Sequence, residues 1–259
     1  MREAIRRFGR GTSGKTGRPD SFCRRSSSGR RELGVLMTAG LLLLSARLVQ
    51  AQFTVLHRFS GPDGLGAYGS LTLSGSTLYG VTLGGGSSDA GTVFKINTDG
   101  TGFTLLHEFA GSDGAIPIGS LTLSGSTLYG TTVVGGSSDQ GTVFSINTDG
   151  TGFTLLHEFS GPDGAWPSGS LTLSGSTLYG MTEYGGSNDY GTVFSINTDG
   201  TGFALLHEFS GPDGAWPSGS LMLSGSALYG ATERGGSSDL GTVFSINTDG
   251  TGFTLLHEF

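Results

Sequence analysis

The sequence predicts an all-β fold: a β-propeller-like array of four four-stranded blades plus one extra N-terminal strand, with an incomplete ring as an open alternative. From Phe53 to Phe259 the chain repeats every 50 residues without an insertion. Each period holds four short segments rich in β-branched and aromatic residues, separated by Gly, Asp, Asn and Ser. A period near 50 residues is typical of propeller blades. A parallel β-helix is the alternative, but the two-residue "GS" links favour antiparallel hairpins.

The chain before the repeats is predicted to be a secretory leader, residues 1–51. It contains eleven of the fourteen basic residues and then an apolar run at 33–45. That run is too short to span a bilayer, and it leads to Val49 and Ala51, the small residues expected before a signal-peptidase site. A translation start downstream of Met1 and a twin-arginine signal remain open.

Removal of this leader leaves a mature chain with unusual chemistry. The single cysteine, Cys23, would be lost, so the mature protein is expected to have no disulfide and no membrane span. From residue 52 onward there are three basic and eighteen acidic residues, so the net charge is about −15. Such a surface repels phosphate backbones and anionic lipids, which excludes nucleic acid as an expected partner.

Within residues 52–259 each blade is predicted to follow one pattern. In the first copy the strands are "SLTLS", "TLYGVT", "TVFKI" and "FTLLHEF", and the segment "AGSDGAIPIG" is a loop to the next blade. Because side chains alternate between the two faces of a strand, we expect four of them on the face toward the next blade: Phe103, Leu105, His107 and Phe109. Thr104, Leu106 and Glu108 are expected on the other face. The approximate blade boundaries are 69–109, 119–159, 169–209 and 219–259.

All five histidines lie in copies of "FTLLHEF". Because His107 and Glu108 point to opposite faces, "HE" is not expected to act as a catalytic pair, and the zinc-helix spacing H-E-x-x-H is missing. Each histidine is therefore expected to lie in the contact between sheets, hydrogen-bonded to a neighbouring turn.

Two repeated acidic motifs are interpreted as turns. The motif S-S-D-x-G-T-V-F resembles the Asp-box, in which the carboxylate binds loop amides and the glycine has a positive φ. Its aspartates are assigned a structural role because an enzyme needs one site and not four: Asp89, Asp139, Asp189 and Asp239. Asn97 and Asp99 of "INTDG" offer oxygen ligands to Ca²⁺, but the EF-hand spacing is absent and a D-G hairpin turn explains them. No metal site and no cofactor is predicted.

Positions that differ between copies are the candidate ligand-binding residues. They cluster in the loop after the second strand and in the segment before the first strand. Loops on a rigid scaffold often carry function, and aromatic and Arg side chains often anchor ligands. The selected residues are Tyr68, Trp166, Tyr184, Tyr190, Trp216 and Arg234. Drift after duplication, with the tryptophans as packing between blades, is the alternative.

The order "LYG", "GTVF", "LHxF" over residues 53–259 resembles the GloVer tandem-repeat family, named among the choice-of-anchor proteins. The unit also looks like a kelch blade. The family resemblance implies a bacterial protein that is exported to the cell surface or the medium, with no catalytic residues to carry over. The expected function is a non-enzymatic binding or structural scaffold whose partner is a protein or a glycan. Two alternatives stay open: a polysaccharide-active propeller enzyme, and a fragment of a longer anchored repeat protein.

Overall fold

The structure, a computed structural model, describes residues 53–259. These residues form eighteen strands in four sheets, and they include no helix. Accordingly, no helix long and apolar enough to cross a membrane occurs within this range. The predicted signal peptide and Cys23 lie outside the described residues.

Each sheet is built from one 50-residue copy. Sheet 1 contains β1 (Leu65–Ser74), β2 (Thr77–Gly84), β3 (Thr92–Asn97) and β4 (Thr104–Glu108). Sheet 2 contains β5 (Thr122–Ser124), β6 (Thr127–Thr132), β7 (Thr142–Asn147) and β8 (Thr154–Glu158). Sheet 3 contains β9 (Ala165–Pro167), β10 (Thr172–Ser174), β11 (Thr177–Tyr184), β12 (Thr192–Asn197) and β13 (Ala204–Glu208). Sheet 4 contains β14 (Ala215–Pro217), β15 (Met222–Ser224), β16 (Ala227–Arg234), β17 (Thr242–Asn247) and β18 (Thr254–Glu258).

All paired strands are antiparallel, and apart from β9 and β14 the strands of each sheet lie in chain order. The first hairpin turns at Gly75-Ser76, where Gly75 has a φ of +59° and the flanking Ser74 and Thr77 pair. A glycine with positive φ at the first turn position suits the right-handed twist of paired strands. The predicted propeller-like fold is confirmed, and the parallel β-helix is excluded.

A bulge in the fourth strand changes the predicted facing of its side chains. Val93 pairs with His107 and Phe94 pairs with Leu105, which leaves Leu106 as an extra residue. An inserted residue of this kind reverses the alternation beyond it. The expectation that Phe103, Leu105, His107 and Phe109 share one face was therefore wrong.

The contacts of these side chains show the two directions. We call the side of each sheet that contacts the following sheet its forward face, and the opposite side its backward face. The Phe103 ring stacks on the preceding His57, so it lies on the backward face. The rings of His107 and Phe109 lie on the forward face, against Phe153 and Phe144.

The link between copies is also more regular than predicted. The segment expected to be a loop contains β9 in sheet 3 and β14 in sheet 4, which pair with the ends of β11 and β16. In sheet 2 the same place holds one bridge, between Ala115 and Val134. In sheet 1 the two pieces merge into the ten-residue β1, with a register shift between Tyr68 and Thr72.

The prediction of an extra N-terminal strand was wrong, although the segment lies where the repeat would place a fourth strand. Residues 53–60 are not hydrogen-bonded as a strand. Their rings nevertheless lie on the backward face of sheet 1, with His57 against Phe103 and Phe59 against Phe94. The fourth strands of sheets 1 to 3 make the same contacts with the sheet that follows. A third strand beside residues 53–60 is missing among the described residues, so no ladder forms there.

The core consists of three apolar layers, one between each pair of consecutive sheets. Phe109, Phe159 and Phe209 fill these layers and are at most 1% exposed. The glycine of "LYG" is needed because a Cβ at Gly130 would lie 2.5 Å from the Phe144 ring. The array is not closed, since apolar side chains remain exposed on the backward face of sheet 1 and the forward face of sheet 4.

Candidate recognition site

Four of the five histidines lie in a contact with the following sheet. In each, Nε2 lies 2.8 to 2.9 Å from an Asp Oδ2 in the turn that follows the histidine in sequence. Its ring stacks nearly parallel on a Phe of the next sheet, with centroids 3.7 to 3.8 Å apart. The pairs are His57 with Asp63, His107 with Asp113, His157 with Asp163, and His207 with Asp213. The histidine therefore lies in the contact between sheets and binds the G-x-D-G turn.

The surroundings of these pairs shift the pKa of individual members. Burial lowers the pKa of His207, and the Asp213 carboxylate only partly offsets that effect. Burial raises the pKa of Asp163, but hydrogen bonds from Ser160 and His157 outweigh it and hold that pKa below its usual value. A partly buried imidazole that bonds to a turn in the same way in four copies suits packing.

The other repeated carboxylates also have partners within the repeat. Asp89, Asp139, Asp189 and Asp239 each accept a bond of 2.7 to 2.9 Å from the backbone N–H of a glycine four residues earlier. These aspartates have φ between +53° and +58°, a conformation that Asp tolerates better than most residues. The glutamates of "LHEF" accept bonds from serine N–H groups of the same loops. Both sets therefore stabilise loops.

The two tryptophans occupy a strained backbone position. Position 16 of the repeat is Gly66, Ile116, Trp166 or Trp216, and its φ lies between +55° and +67° in all four sheets. Only glycine adopts this conformation without cost, and other residues lose about 1–2 kcal/mol. In sheets 2 to 4 the N–H of this residue donates a 2.9 Å bond to a carbonyl in the preceding sheet. That bond helps to hold the strained residue in place.

Three of the six candidate residues form one aromatic cluster, which we define as Trp166, Tyr184 and Trp216. The Trp166 and Tyr184 rings meet edge to face, with centroids 5.2 Å apart. Tyr184 and Trp216 are 5.9 Å apart at an angle of 47°. Tyr184 ends β11 and pairs with Ala165 of β9, so the backbone pairing brings Trp166 beside it. All three side chains remain partly exposed.

The cluster lies at the edge formed by the first strands, which we call the first-strand edge. Here the backbones of consecutive sheets approach each other closely: a Cβ at Gly119 would lie 2.7 Å from the Gly169 carbonyl oxygen. Hydrogen bonds join first strands across sheets, from Ser120 N–H to Ser170 Oγ at 2.8 Å and from Ser170 N–H to Ser220 Oγ at 2.9 Å. The cluster is therefore supported from two sheets.

The remaining three candidates are not rings of the cluster. Tyr68 is exposed on β1 of sheet 1. Arg234 ends β16 opposite Ala215, so the backbone pairing places it beside Trp216, and its guanidinium lies 4.0 Å from an Asp239 carboxylate oxygen. Tyr190 borders a cleft of about 460 Å³ between sheets 3 and 4, which Asp239 and Glu258 also line. The six residues therefore do not form a single site.

The structure adds Glu183 to the surroundings of the cluster. Its side chain precedes Tyr184 and is 5% exposed. The same position is Leu83 in sheet 1 and Val133 in sheet 2. A carboxyl group where two copies have an aliphatic residue is the signal that sequence reasoning could have followed, because buried acids are rare. No group of three or more His, Cys, Asp or Glu suited to a metal occurs within residues 53–259.

A family model described as the Gloeobacter/Verrucomicrobia repeat matches residues 42–199 and 172–259. The chain belongs to this family. The match covers the repeats and confirms the resemblance drawn from "LYG", "GTVF" and "LHxF". None of the curated proteins matched the sequence.

This chain is similar to several solved structures at low sequence identity. One is a crystal structure of a nidogen/laminin complex, with a TM-score of 0.48, 17% identity, and 71% of this chain and 60% of that chain covered. A putative TolB from Agrobacterium tumefaciens has a TM-score of 0.48 and 12% identity, with 71% of this chain and 61% of that chain covered. TolB from Acinetobacter baumannii has a TM-score of 0.48 and 16% identity, with 76% of this chain and 43% of that chain covered. The chain thus spans about three fifths or less of these proteins.

Proposed function

We propose that this chain is an exported, non-enzymatic recognition scaffold that acts at the cell surface or outside the cell. Its ligand, a protein segment or a glycan, binds at the aromatic cluster. The observation that carries the proposal is the placement of Trp166 and Trp216 on either side of Tyr184, each tryptophan in a backbone conformation that costs free energy.

The strain supports recognition over drift. Drift would favour glycine at position 16 of the repeat, as in sheet 1, because glycine has no penalty at this φ. Two copies have the largest side chain there. Strained residues that persist are concentrated at functional sites, and partly exposed aromatic residues are common anchors of ligands. The acidic balance of the repeats further indicates a ligand that is not anionic.

A polysaccharide-active enzyme has less support. Glycoside hydrolysis uses a pair of carboxyl groups on either side of the bond that is cleaved. In the repeats most carboxylates bind loop amides, a histidine or a neighbouring threonine in the same way in each copy. The acids that differ between copies are Glu183, which is buried, and Glu233, which is exposed. The non-enzymatic scaffold therefore needs fewer additional assumptions.

Binding is tested on protein and glycan arrays with the full chain. Tyr184→Ala combined with Trp216→Ala should abolish the strongest signals, because two of the three rings are removed. Tyr68→Ala is the matched control, since it removes an exposed aromatic ring from β1, in sheet 1. Binding that survives the double substitution, or that Tyr68→Ala abolishes equally, contradicts the proposed site.

Export is tested separately. Expression of the full chain in a bacterial host should deliver a product outside the cytoplasm whose N-terminus is Gln52, as the cleavage site after Ala51 predicts. Ala51→Trp blocks the small-residue position and should leave the leader attached. Uncleaved wild-type protein in the cytoplasm would refute export without bearing on the binding site.

A further inference from the structure

The cleft that Tyr190 borders has walls from both sheet 3 and sheet 4. Sheet 3 contributes the Tyr190 ring, the turn that joins the two sheets contributes Gly211 and Pro212, and sheet 4 contributes Asp239 and Glu258. The volume of about 460 Å³ is that of a pocket for a small organic group, and a single metal ion needs far less space. The cleft lies in a contact between two described sheets.

Backbone hydrogen bonds fix the walls of this cleft. The Tyr190 carbonyl accepts a 2.9 Å bond from the Trp216 N–H, and the Gly211 carbonyl accepts a 3.0 Å bond from the Gly236 N–H. The Tyr190 ring itself lies against the turn, since a Cβ at Gly211 would lie 3.4 Å from its Cε2 atom. Walls that are already ordered reduce the entropic cost of binding a ligand.

The two carboxylates of the cleft are each fixed through one oxygen. Asp239 accepts a 2.9 Å bond from the Gly235 N–H at Oδ1, and Glu258 accepts a 2.8 Å bond from the Ser237 N–H at Oε2. Among the described residues, Glu258 Oε1 accepts no hydrogen bond, and the guanidinium of Arg234 lies 4.0 Å from Asp239 Oδ2. Hydrogen bonding to Ser237 also lowers the pKa of Glu258, so this carboxylate stays ionised at neutral pH. One oxygen of each carboxylate is therefore available to a ligand.

The aromatic ring beside these carboxylates distinguishes this contact from the others. The place of Tyr190 is occupied by Ala90 in sheet 1, Gln140 in sheet 2 and Leu240 in sheet 4, whereas the aspartate and the glutamate occur in all four sheets. Tyr190 is 38% exposed. The face of an aromatic ring attracts a cation, as carboxylates do. The described lining contains no Lys or Arg, and the net charge of the repeats is about −15, so the surrounding field also favours a cationic group.

We propose that this cleft binds the guanidinium group of an arginine side chain from a partner protein. A guanidinium is planar and stacks on the Tyr190 ring, while its forked N–H groups donate to the available oxygens of Asp239 and Glu258. The aliphatic stem of the arginine lies along Pro212 and Ala215, which also line the cleft. This inference does not depend on the ligand of the aromatic cluster.

The test titrates the full chain with N-acetyl-arginine amide and follows backbone amide signals by NMR. The amides of Gly235, Gly236 and Ser237 should shift, because they lie in the wall of the cleft. N-acetyl-citrulline amide has nearly the same shape without the charge, so it should bind roughly tenfold more weakly. Wild-type protein that binds neither probe, or both equally, overturns the proposal.

Two substitutions and a matched control locate the binding. Glu258→Gln keeps an oxygen for the Ser237 N–H but removes the charge, and it should weaken arginine binding about fivefold. Glu108→Gln makes the same change in the corresponding loop contact of sheet 1 and should leave binding unchanged. Tyr190→Leu introduces the residue that sheet 4 has at this place and should weaken binding about threefold. An equal loss in Glu108→Gln and Glu258→Gln also overturns the proposal, because it indicates general attraction to an acidic surface.

Discussion

The contacts between sheets and the first-strand edge differ in how far their side chains vary from one copy to the next. Between sheets, the His–Asp distance varies by only 0.1 Å over four copies, and the ring stacking is equally constant. At the first-strand edge one backbone conformation carries Gly, Ile, Trp and Trp. The backbone is thus constant in both regions. The His, Asp and Phe side chains of the contacts between sheets are also constant, whereas the side chain at position 16 is not. Packing fixes residues in the first region, and the second is free to carry recognition.

The largest expected effect is a break in a contact between sheets. Phe159→Ala removes a fully buried ring that packs against Phe194 and Phe203 of the next sheet. The free energy of unfolding should fall by about 3–5 kcal/mol. Urea unfolding followed by circular dichroism measures it. Tyr184→Ala at the first-strand edge is the comparison and should cost clearly less, since its ring is partly exposed.

The histidine pair gives the next largest effect. His157→Ala removes the stacking on Phe203 and leaves Asp163 without its imidazole partner, so unfolding should be easier by about 1–3 kcal/mol. His257→Ala is a natural control, because His257 is exposed and, among the described residues, the only ring that its own ring meets is that of Phe259. Equal losses in the two variants would show that the histidine does not act through the contact between sheets.

Acid should weaken the contacts before it affects the first-strand edge. The pKa of His207 in the folded protein is below the ordinary value of 6.5, mainly because of burial. The unfolded chain therefore binds more protons just below pH 6.5, and the free energy of unfolding should decrease as the pH falls through that region. Bonds from Ser187 lower the pKa of Glu208, which adds a further loss below about pH 4.5. Melting temperatures from pH 7.5 to 4 measure this, and a rise on acidification would contradict it.

The smallest expected effect is that a glycine substitution is more stable than an alanine substitution at the same strand position, which reverses the usual order of stability. At Trp166 the φ is +58°, so Trp166→Gly relieves strain that Trp166→Ala retains. The Gly variant should be more stable than the Ala variant by about 1 kcal/mol, although glycine normally destabilises a strand. Thermal melting of the two variants side by side checks this. An Ala variant that is the more stable would mean that the segment changes its backbone conformation on substitution.

The sequence was sufficient for the period, the four strands of each copy and their antiparallel order, because local turn chemistry fixes these features. It did not predict the bulge at Leu106, since an inserted residue leaves the hydrophobic pattern of "FTLLHEF" looking like a plain strand. The sequence also did not predict the positive φ of Trp166, although a glycine at the same position of sheet 1, Gly66, is consistent with such a φ. Residues 53–60 were expected to form a strand because their sequence matches the fourth strand of each copy. A strand also needs a neighbouring strand to which it can hydrogen-bond.

The variable positions were a partly useful guide to the candidate site. They indicated Trp166, Tyr184 and Trp216, which the fold brings together because β9 pairs with the end of β11. They also indicated Tyr68, which lies in sheet 1, and Tyr190, which borders the cleft between sheets 3 and 4. Variation between copies marks where packing is permissive, but it contains no information on distance across sheets.

Each contact between sheets uses residues of only two adjacent copies, and its histidine, aspartate and phenylalanine residues are the same in every copy. The copies at 151–200 and 201–250 differ at seven positions. Unequal recombination between such copies would add or delete a whole 50-residue unit and restore an intact contact on both sides of the change. The number of units in this architecture can therefore vary over evolutionary time while the stability of each remaining unit is preserved.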